Sequence, residues 1–225
     1  MTIAAVLWDF GGVLTTSPFD AFNRFEDQHD IPRNFIRGIN AVNPTTNAWA
    51  RFESSQINLE EFDRAFARES KAAGHYISGS EIVSLLAGDV RPRMVEVLKR
   101  CKATYKVACI TNNVKAGGGR SMAACVDRAA AIQEVMALFE CVVESSREGI
   151  RKPDPAIYRL ACDRLGVSPT ESVYLDDLGI NLKPARALGM RTIKVVTEGQ
   201  AIADLEKILG FEFAFNEISK AGADG

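Results

Sequence analysis

The stretch from Ala4 to Leu14 constrains this chain more than any other. Ala4-Ala5-Val6-Leu7-Trp8 is a continuous apolar run of strand length, followed by one carboxylate, Asp9, and then by Phe10, Gly11 and Gly12. A run without polar alternation suits a strand covered on both faces, as in a parallel sheet. Open α/β sheets place their chemistry at the carboxyl ends of strands, which is where Asp9 falls. The glycines let the backbone turn sharply there and come close to a ligand.

The rest of the chain divides by pattern. Between Thr16 and Lys102 no strand-like run appears. Ser17-Pro18 reads as a helix cap with proline at the first helical position. Phe19, Phe22 and Phe25 follow at near-helical spacing, and further helices are expected at 33–42, around Trp49 and Phe52, and over 59–73 and 79–86. Leu59, Phe62 and Phe66 form a stripe that fits helix packing better than a substrate-gripping cluster. From Pro92 onward, helical patterns (92–102, 121–138, 156–165, 182–188, 201–209) alternate with short apolar runs (107–110, 139–143, 173–175, 191–196), and 147–155 reads as a charged turn. That alternation is the signature of βαβ units. The expected fold is α/β, a Rossmann-like parallel sheet over 1–15 and 91–225, with a small helical cap over 16–90 inserted after the first strand.

Composition narrows the function. With 225 residues, 47% of them apolar, the chain can build one sizeable core plus a small second unit. A net charge of −2 favours neither nucleic acid nor an anionic membrane as partner. No run reaches membrane-spanning length and no leader pattern opens the chain, so a cytoplasmic protein is expected. The five cysteines (Cys101, Cys109, Cys125, Cys141 and Cys162) are scattered and read as reduced, packed thiols. Lys115-Ala116-Gly117-Gly118-Gly119-Arg120 is glycine-rich, but it fits neither the P-loop nor the dinucleotide spacing.

Four strand or loop ends carry polar groups: Asp9, Thr111 with Asn112, Lys152, and Asp176 with Asp177. In a parallel sheet these ends share one edge. Three carboxylates brought together repel one another and raise each other's pKa. A hard divalent cation resolves the repulsion, and Mg²⁺ takes oxygen ligands while keeping waters that a phosphate can replace. Lys152 adds positive charge, and Thr111 and Asn112 add neutral donors. Such a set suits a phosphoryl group, whose transfer depends on positioning and charge stabilisation. A carboxylate can itself attack phosphorus to give an aspartyl-phosphate.

These residues, in this order, resemble the four motifs of the haloacid dehalogenase superfamily, most of whose members are aspartate-nucleophile phosphatases. Asp9 stands in the first motif, Thr111 in the second, Lys152 in the third, and Asp176-Asp177 with Asn181 in the fourth. The resemblance covers Ile3 to Leu209. The run from Tyr174 to Arg186 is similar to the amino-terminal phosphatase domain of soluble epoxide hydrolases. The resemblance implies that Asp9 is nucleophile and metal ligand, with the Gly11 carbonyl, Asp176 and Asp177 completing the Mg²⁺ site. It implies that Thr111 and Asn112 hold the phosphoryl group and that Lys152 neutralises it. The substrate is then a small phosphorylated metabolite, handled by a monomer or homodimer.

One position departs from the family. Its first motif is Asp-x-Asp, in which the second Asp is the general acid/base; here that place is Gly11. General acid/base help is worth roughly 10²–10⁴-fold. Hydrolysis of a phosphate ester remains the leading expectation. Its rivals are a metal-independent dehalogenase and a binding or regulatory module weakened by Gly11. Arg24, Arg33, Arg37 and Arg51 in the helical insertion are candidates for reading a second anionic group, against the simpler reading of solvated helix faces. His29 and His75 read as surface residues rather than acid/base groups, and a substitute acid delivered by cap closure is the lesser reading of His75.

Overall fold

The computed structural model describes residues 2–86, 88–112 and 122–213, with side chains for all of these except 122–128. Five parallel strands form one sheet: β1 (Ala5–Trp8), β2 (Lys106–Thr111), β3 (Cys141–Glu144), β4 (Ser172–Asp176) and β5 (Arg191–Lys194), in the order β3-β2-β1-β4-β5. The apolar opening run therefore becomes the central strand, and all four of its residues are buried. Trp8 is level with Cys109 on one side and Leu175 on the other. Asp9 and Asp176 follow at the same height, on the edge where the strands end.

Side chains alternate across the sheet with the two-residue period of a strand. Val6, Trp8, Val107, Cys109, Val173 and Leu175 point to one face. There they meet α6 (Pro92–Lys102), the end of α7 (Met122–Met136) and α11 (Glu198–Leu209). Ala5, Leu7, Ala108, Ile110 and Tyr174 point to the other face, against α9 (Pro155–Leu165) and α10 (Gly179–Ala187). This is the expected three-layer α/β arrangement.

Five helices lie between β1 and α6: α1 (Pro18–Gln28), α2 (Phe35–Ala41), α3 (Ala48–Glu53), α4 (Leu59–Ala72) and α5 (Gly79–Ser84). They enclose a separate apolar cluster built on Phe22, Ile36, Phe52, Phe62, Phe66 and Ile82. The Phe62 ring stacks on Phe52 at 4.4 Å and lies 5.5 Å from Phe66, so the aromatic stripe is packing. Local capping fixes the helix starts. Asn58 with Glu61, and Ser78 with Glu81, close reciprocal capping boxes on α4 and α5. The buried Glu26 accepts from Asn34 N at 2.7 Å and Ile36 N at 2.9 Å, capping α2 from a neighbouring helix. The chain leaves and re-enters the sheet layer side by side. Thr15 bridges Val90 antiparallel, and Thr16 N donates to the Asp89 carbonyl at 2.8 Å. The approach is close enough that a Cβ on Gly88 would lie 2.5 Å from the Thr16 carbonyl oxygen.

Several boundaries differ from expectation. The start of the charged turn expected over 147–155 belongs to one helical turn, α8 (Ser145–Glu148), closed by Gly149 in the left-handed region. Helix α10 starts at Gly179 rather than Leu182. Glycine disfavours a helix interior, but Leu178 N and the Asn181 side chain both donate to the Asp176 carboxylate and start the helix early. Ser17 stands at the cap of α1 without capping it. The glycine-rich stretch 115–120 lies outside the described residues. Cys101, Cys109, Cys141 and Cys162 are free thiols. Among the described residues no helix is long and apolar enough to cross a membrane.

Candidate active site

The site groups come from the ends of β1, β2 and β4 and from the loop that precedes α9. Asp9 leaves the central strand with its backbone N–H donated to the Leu175 carbonyl at 2.8 Å, which fixes it against β4. Its carboxylate accepts from Lys152 Nζ at 2.7 Å. The same ammonium donates to Asp176 Oδ2 at 2.8 Å. Lys152 is 2% exposed and Asp176 wholly buried, so this is a desolvated carboxylate–ammonium–carboxylate chain. Asp177 completes the group: Asp9, Asp176 and Asp177 each offer an oxygen within 4.8 Å of the other two.

Asp176 is held from every side. Tyr174 Oη and Lys152 Nζ donate to Oδ2, Leu178 N donates to Oδ1 at 2.7 Å, and Asn181 Nδ2 reaches both oxygens at 3.0 and 3.1 Å. Tyr158 Oη in turn donates to the Asn181 carbonyl at 2.7 Å. Asp177 is looser, its carboxylate accepting from Ser17 Oγ at 3.3 Å. The two glycines after Asp9 act differently. Gly12 sits at φ +76°, and a Cβ there would lie 2.2 Å from Asp177 Oδ2, so only glycine lets this turn pass. Gly11 has nothing within 4 Å of an added Cβ. Among the described residues, nothing fills the place where the resembled motif carries its second aspartate.

The electrostatics follow from burial and like charge. Burial pushes the Asp9 carboxyl well above its ordinary value; Asp176 and Asp177 push the same way, and Lys152 opposes them. Burial, then the Asp176 charge, raises Asp177 to about 6. Burial alone would lower Lys152, but the Asp176 and Asp9 charges overcome it and hold the ammonium above its usual range. Three acids around one ammonium leave an excess of negative charge in a desolvated site. Oxygen donors at this spacing suit a hard divalent cation.

Thr111 closes β2 and is buried on the same edge. The Asn112 side chain is already committed: Oδ1 accepts from Lys152 N at 2.8 Å, while Nδ2 donates to the Lys152 carbonyl at 3.0 Å. It braces the backbone that carries the lysine. The insertion arginines are occupied elsewhere or solvated. Arg33 pairs with Asp27 at 2.8 Å, Arg37 lies over the Phe19 ring at 4.2 Å, and Arg24 and Arg51 are exposed. His29 stacks on Phe25 in solvent, and His75 packs edge-on against Phe35. Sequence reasoning missed Ser17, because a serine before a proline reads as a cap. It also missed Glu53, whose carboxylate accepts from Asn112 Nδ2 at 3.4 Å across the boundary between the insertion and the sheet layer.

A family model described as haloacid dehalogenase-like hydrolase matches residues 3–189. The chain belongs to that family. It is an enzyme fold of the haloacid dehalogenase class, and its relatives place it among hydrolases. It is 37% identical over 218 residues to Acyl-CoA dehydrogenase family member 10 of Mus musculus, covering 92% of this chain and 19% of that one. It is 29% identical to Bifunctional epoxide hydrolase 2 of Mus musculus, covering 95% of this chain and 40% of the other. The chain thus spans less than half the length of either relative. Phosphatase MT3486 of Mycobacterium tuberculosis is 32% identical, with 89% of this chain and 90% of that one covered. Among solved structures, the putative HAD-hydrolase YfnB of Bacillus subtilis, described as bound to magnesium, superposes with a TM-score of 0.61 at 14% identity, covering 94% and 100% of the two chains. That likeness concerns the fold.

Proposed function

We propose that this haloacid dehalogenase-like hydrolase is a Mg²⁺-dependent phosphatase that hydrolyses a small phosphate monoester through an aspartyl-phosphate on Asp9. The observation that carries the reading is the Asp9–Lys152 contact at 2.7 Å facing two further carboxylates at the sheet edge. The likeness to a mycobacterial phosphatase over 89% of this chain and 90% of that one supports the same reaction class. Asp9, Asp176, Asp177 and the Gly11 carbonyl would hold the cation, which when bound offsets the charge of the carboxylates and of the phosphoryl oxygens. An Asp9 oxygen attacks phosphorus while Lys152 Nζ, already within hydrogen-bond reach, favours the ionised carboxylate against the effect of burial and neutralises the incoming phosphoryl group. Thr111 and the backbone at Asn112, at the end of β2, hold the phosphoryl oxygens. The departing alkoxide takes its proton from water, because Gly11 supplies none. Water then cleaves the aspartyl-phosphate, releasing orthophosphate and restoring Asp9. Residues 16–90 serve as a cap over a core formed by 1–15 and 91–225. The substrate is a phosphorylated metabolite of the cytoplasm. A dehalogenase would bring a carboxylate-bearing haloacid against three acids, which disfavours it.

The test is turnover of an aryl phosphate with Mg²⁺, with and without EDTA. The proposal expects activity that EDTA removes and Mg²⁺ restores. It also expects alkyl esters to be slower by roughly 10²–10⁴-fold, since they depend on the missing general acid. Inertness towards every ester at high enzyme concentration would favour the binding module.

Metal affinity should depend on pH. Asp177 is raised to about 6, and a protonated carboxyl must lose its proton to ligate. Mg²⁺ binding should therefore strengthen as pH rises through that value. One-proton competition gives about a tenfold gain between pH 5 and pH 7.5, readable by calorimetric titration. Equal affinity at the two values would remove Asp177 from the ligand set.

A further inference from the structure

The helical insertion touches the Lys152 loop through one buried acid that the reaction does not use. Glu53 ends α3 and is 6% exposed. One oxygen, Oε1, accepts from Trp49 Nε1 at 2.9 Å, within the insertion. The other, Oε2, faces the sheet layer, pairing with Arg151 Nη2 at 2.5 Å and accepting from Asn112 Nδ2 at 3.4 Å. The backbone joins in. The Glu53 carbonyl accepts from Ser145 Oγ at 2.9 Å, and Ser55 Oγ donates to the Ser146 carbonyl at 2.8 Å. Arg151 also donates through Nη1 to the Pro44 carbonyl at 2.9 Å. Burial pushes the Glu53 carboxyl upward, and the Arg151 charge opposes that.

We infer that Glu53 is a positioning residue that couples the placement of the helical insertion to the placement of Lys152. Arg151 is the residue before Lys152, and Asn112 holds the Lys152 peptide on both sides, at N–H and C=O. Both therefore connect Oε2 directly to the lysine's backbone. Separating a buried carboxylate from its arginine leaves both desolvated charges without a counter-charge. Moving α3 away from the sheet edge therefore separates a charge pair, frees one amide hydrogen of Asn112 and slackens the loop carrying the lysine, all in one event. When α3 returns, the pair re-forms and Lys152 is reset against Asp9. The inference rests on the proposed phosphatase reaction only for its effect on turnover; the contacts do not depend on it.

Hydrogen–deuterium exchange on the metal-free, full chain tests it without any substrate. The reporter is the Lys152 amide, which donates to Asn112 Oδ1, read with peptides spanning 145–154 and 47–56. In Glu53→Gln the acceptor for Trp49 remains but the charge facing Arg151 is gone. In Arg151→Met the pair is removed from the other side. Both variants should raise exchange about tenfold in both segments together, with β4 unchanged, because local opening exposes contiguous units. The double variant should add nothing further, since one contact is being removed twice. If the 145–154 segment keeps its parental exchange, or if only one segment responds, the coupling is wrong. If Glu53→Gln loosens the whole chain, Arg151→Met decides by the same criteria. An aryl-phosphate assay on the same samples separates the two claims. Loosened segments in a protein inert towards phosphates would sink the phosphatase and leave the coupling standing, and the reverse pattern would do the opposite.

Discussion

Asp9→Asn is expected to abolish turnover of an aryl phosphate while leaving the metal-free protein at least as stable as the parent. The amide keeps the shape and can still accept from Lys152, but it cannot attack phosphorus. The loss should exceed the roughly 10²–10³-fold that removal of a single charge-stabilising donor costs. The stability half of the result follows from linkage. The folded Asp9 pKa lies above its unfolded value, chiefly through burial and then through Asp176 and Asp177. A carboxyl raised on folding contributes stability at low pH that is lost as pH rises. Ionising Asp9 therefore opposes folding, and a neutral amide relieves it. Kinetics with an aryl phosphate and thermal unfolding in EDTA check the two halves. Residual turnover at the parental rate would mean that Asp9 is not the nucleophile. A sharp fall in melting temperature would mean that the carboxylate holds the fold together rather than straining it.

Lys152→Met should give the largest stability loss of any single change at the site. It removes the one ammonium shared by Asp9 and Asp176 and leaves buried acids facing one another. Breaking a buried pair from one side costs about 3–5 kcal/mol. At about 2–4 °C per kcal/mol for a chain of this size, the melting temperature should fall by roughly 6–20 °C. The folded Lys152 pKa lies above its unfolded value, so this contribution is complete at neutral pH and disappears only in strong alkali. Two further measurements separate charge from packing. Mg²⁺ should recover part of the loss, since a cation bound by the three acids stands in for the ammonium. Combining Lys152→Met with Asp9→Asn should cost less than the sum of the two, because the partners are coupled. Full additivity together with no response to Mg²⁺ would show that the lysine acts through packing alone.

How far the site could be read beforehand depended on whether each side chain's task was local. Asp9 and Asp176 were legible because each ends an apolar run, and the end of a parallel strand has a fixed place in the fold. Helix α4 was legible because Leu59, Phe62 and Phe66 repeat at helical spacing; the capping box of Asn58 with Glu61 was added by the structure. The start of α10 was not, since Gly179 argues against a helix and it is the bonds from Leu178 N and the Asn181 side chain to the Asp176 carboxylate that begin it there. Asn112 read as a phosphoryl donor from its position, yet its amide is spent on the Lys152 backbone, forty residues away in sequence. Ser17 read as a cap and instead meets Asp177.

The sequence by itself determined the parallel sheet, the insertion after the first strand and the four groups at strand ends, because the period of apolar residues and the chemistry at its breaks are local properties. Only the tertiary structure decided which of those groups share a proton field. It showed that one ammonium lies between two acids, that Gly12 must lack a side chain to clear Asp177, and that Glu53 reaches the lysine's loop from the insertion. Contacts of a few ångströms between residues dozens of positions apart leave no period in the chain. They exist only once burial has brought their elements together.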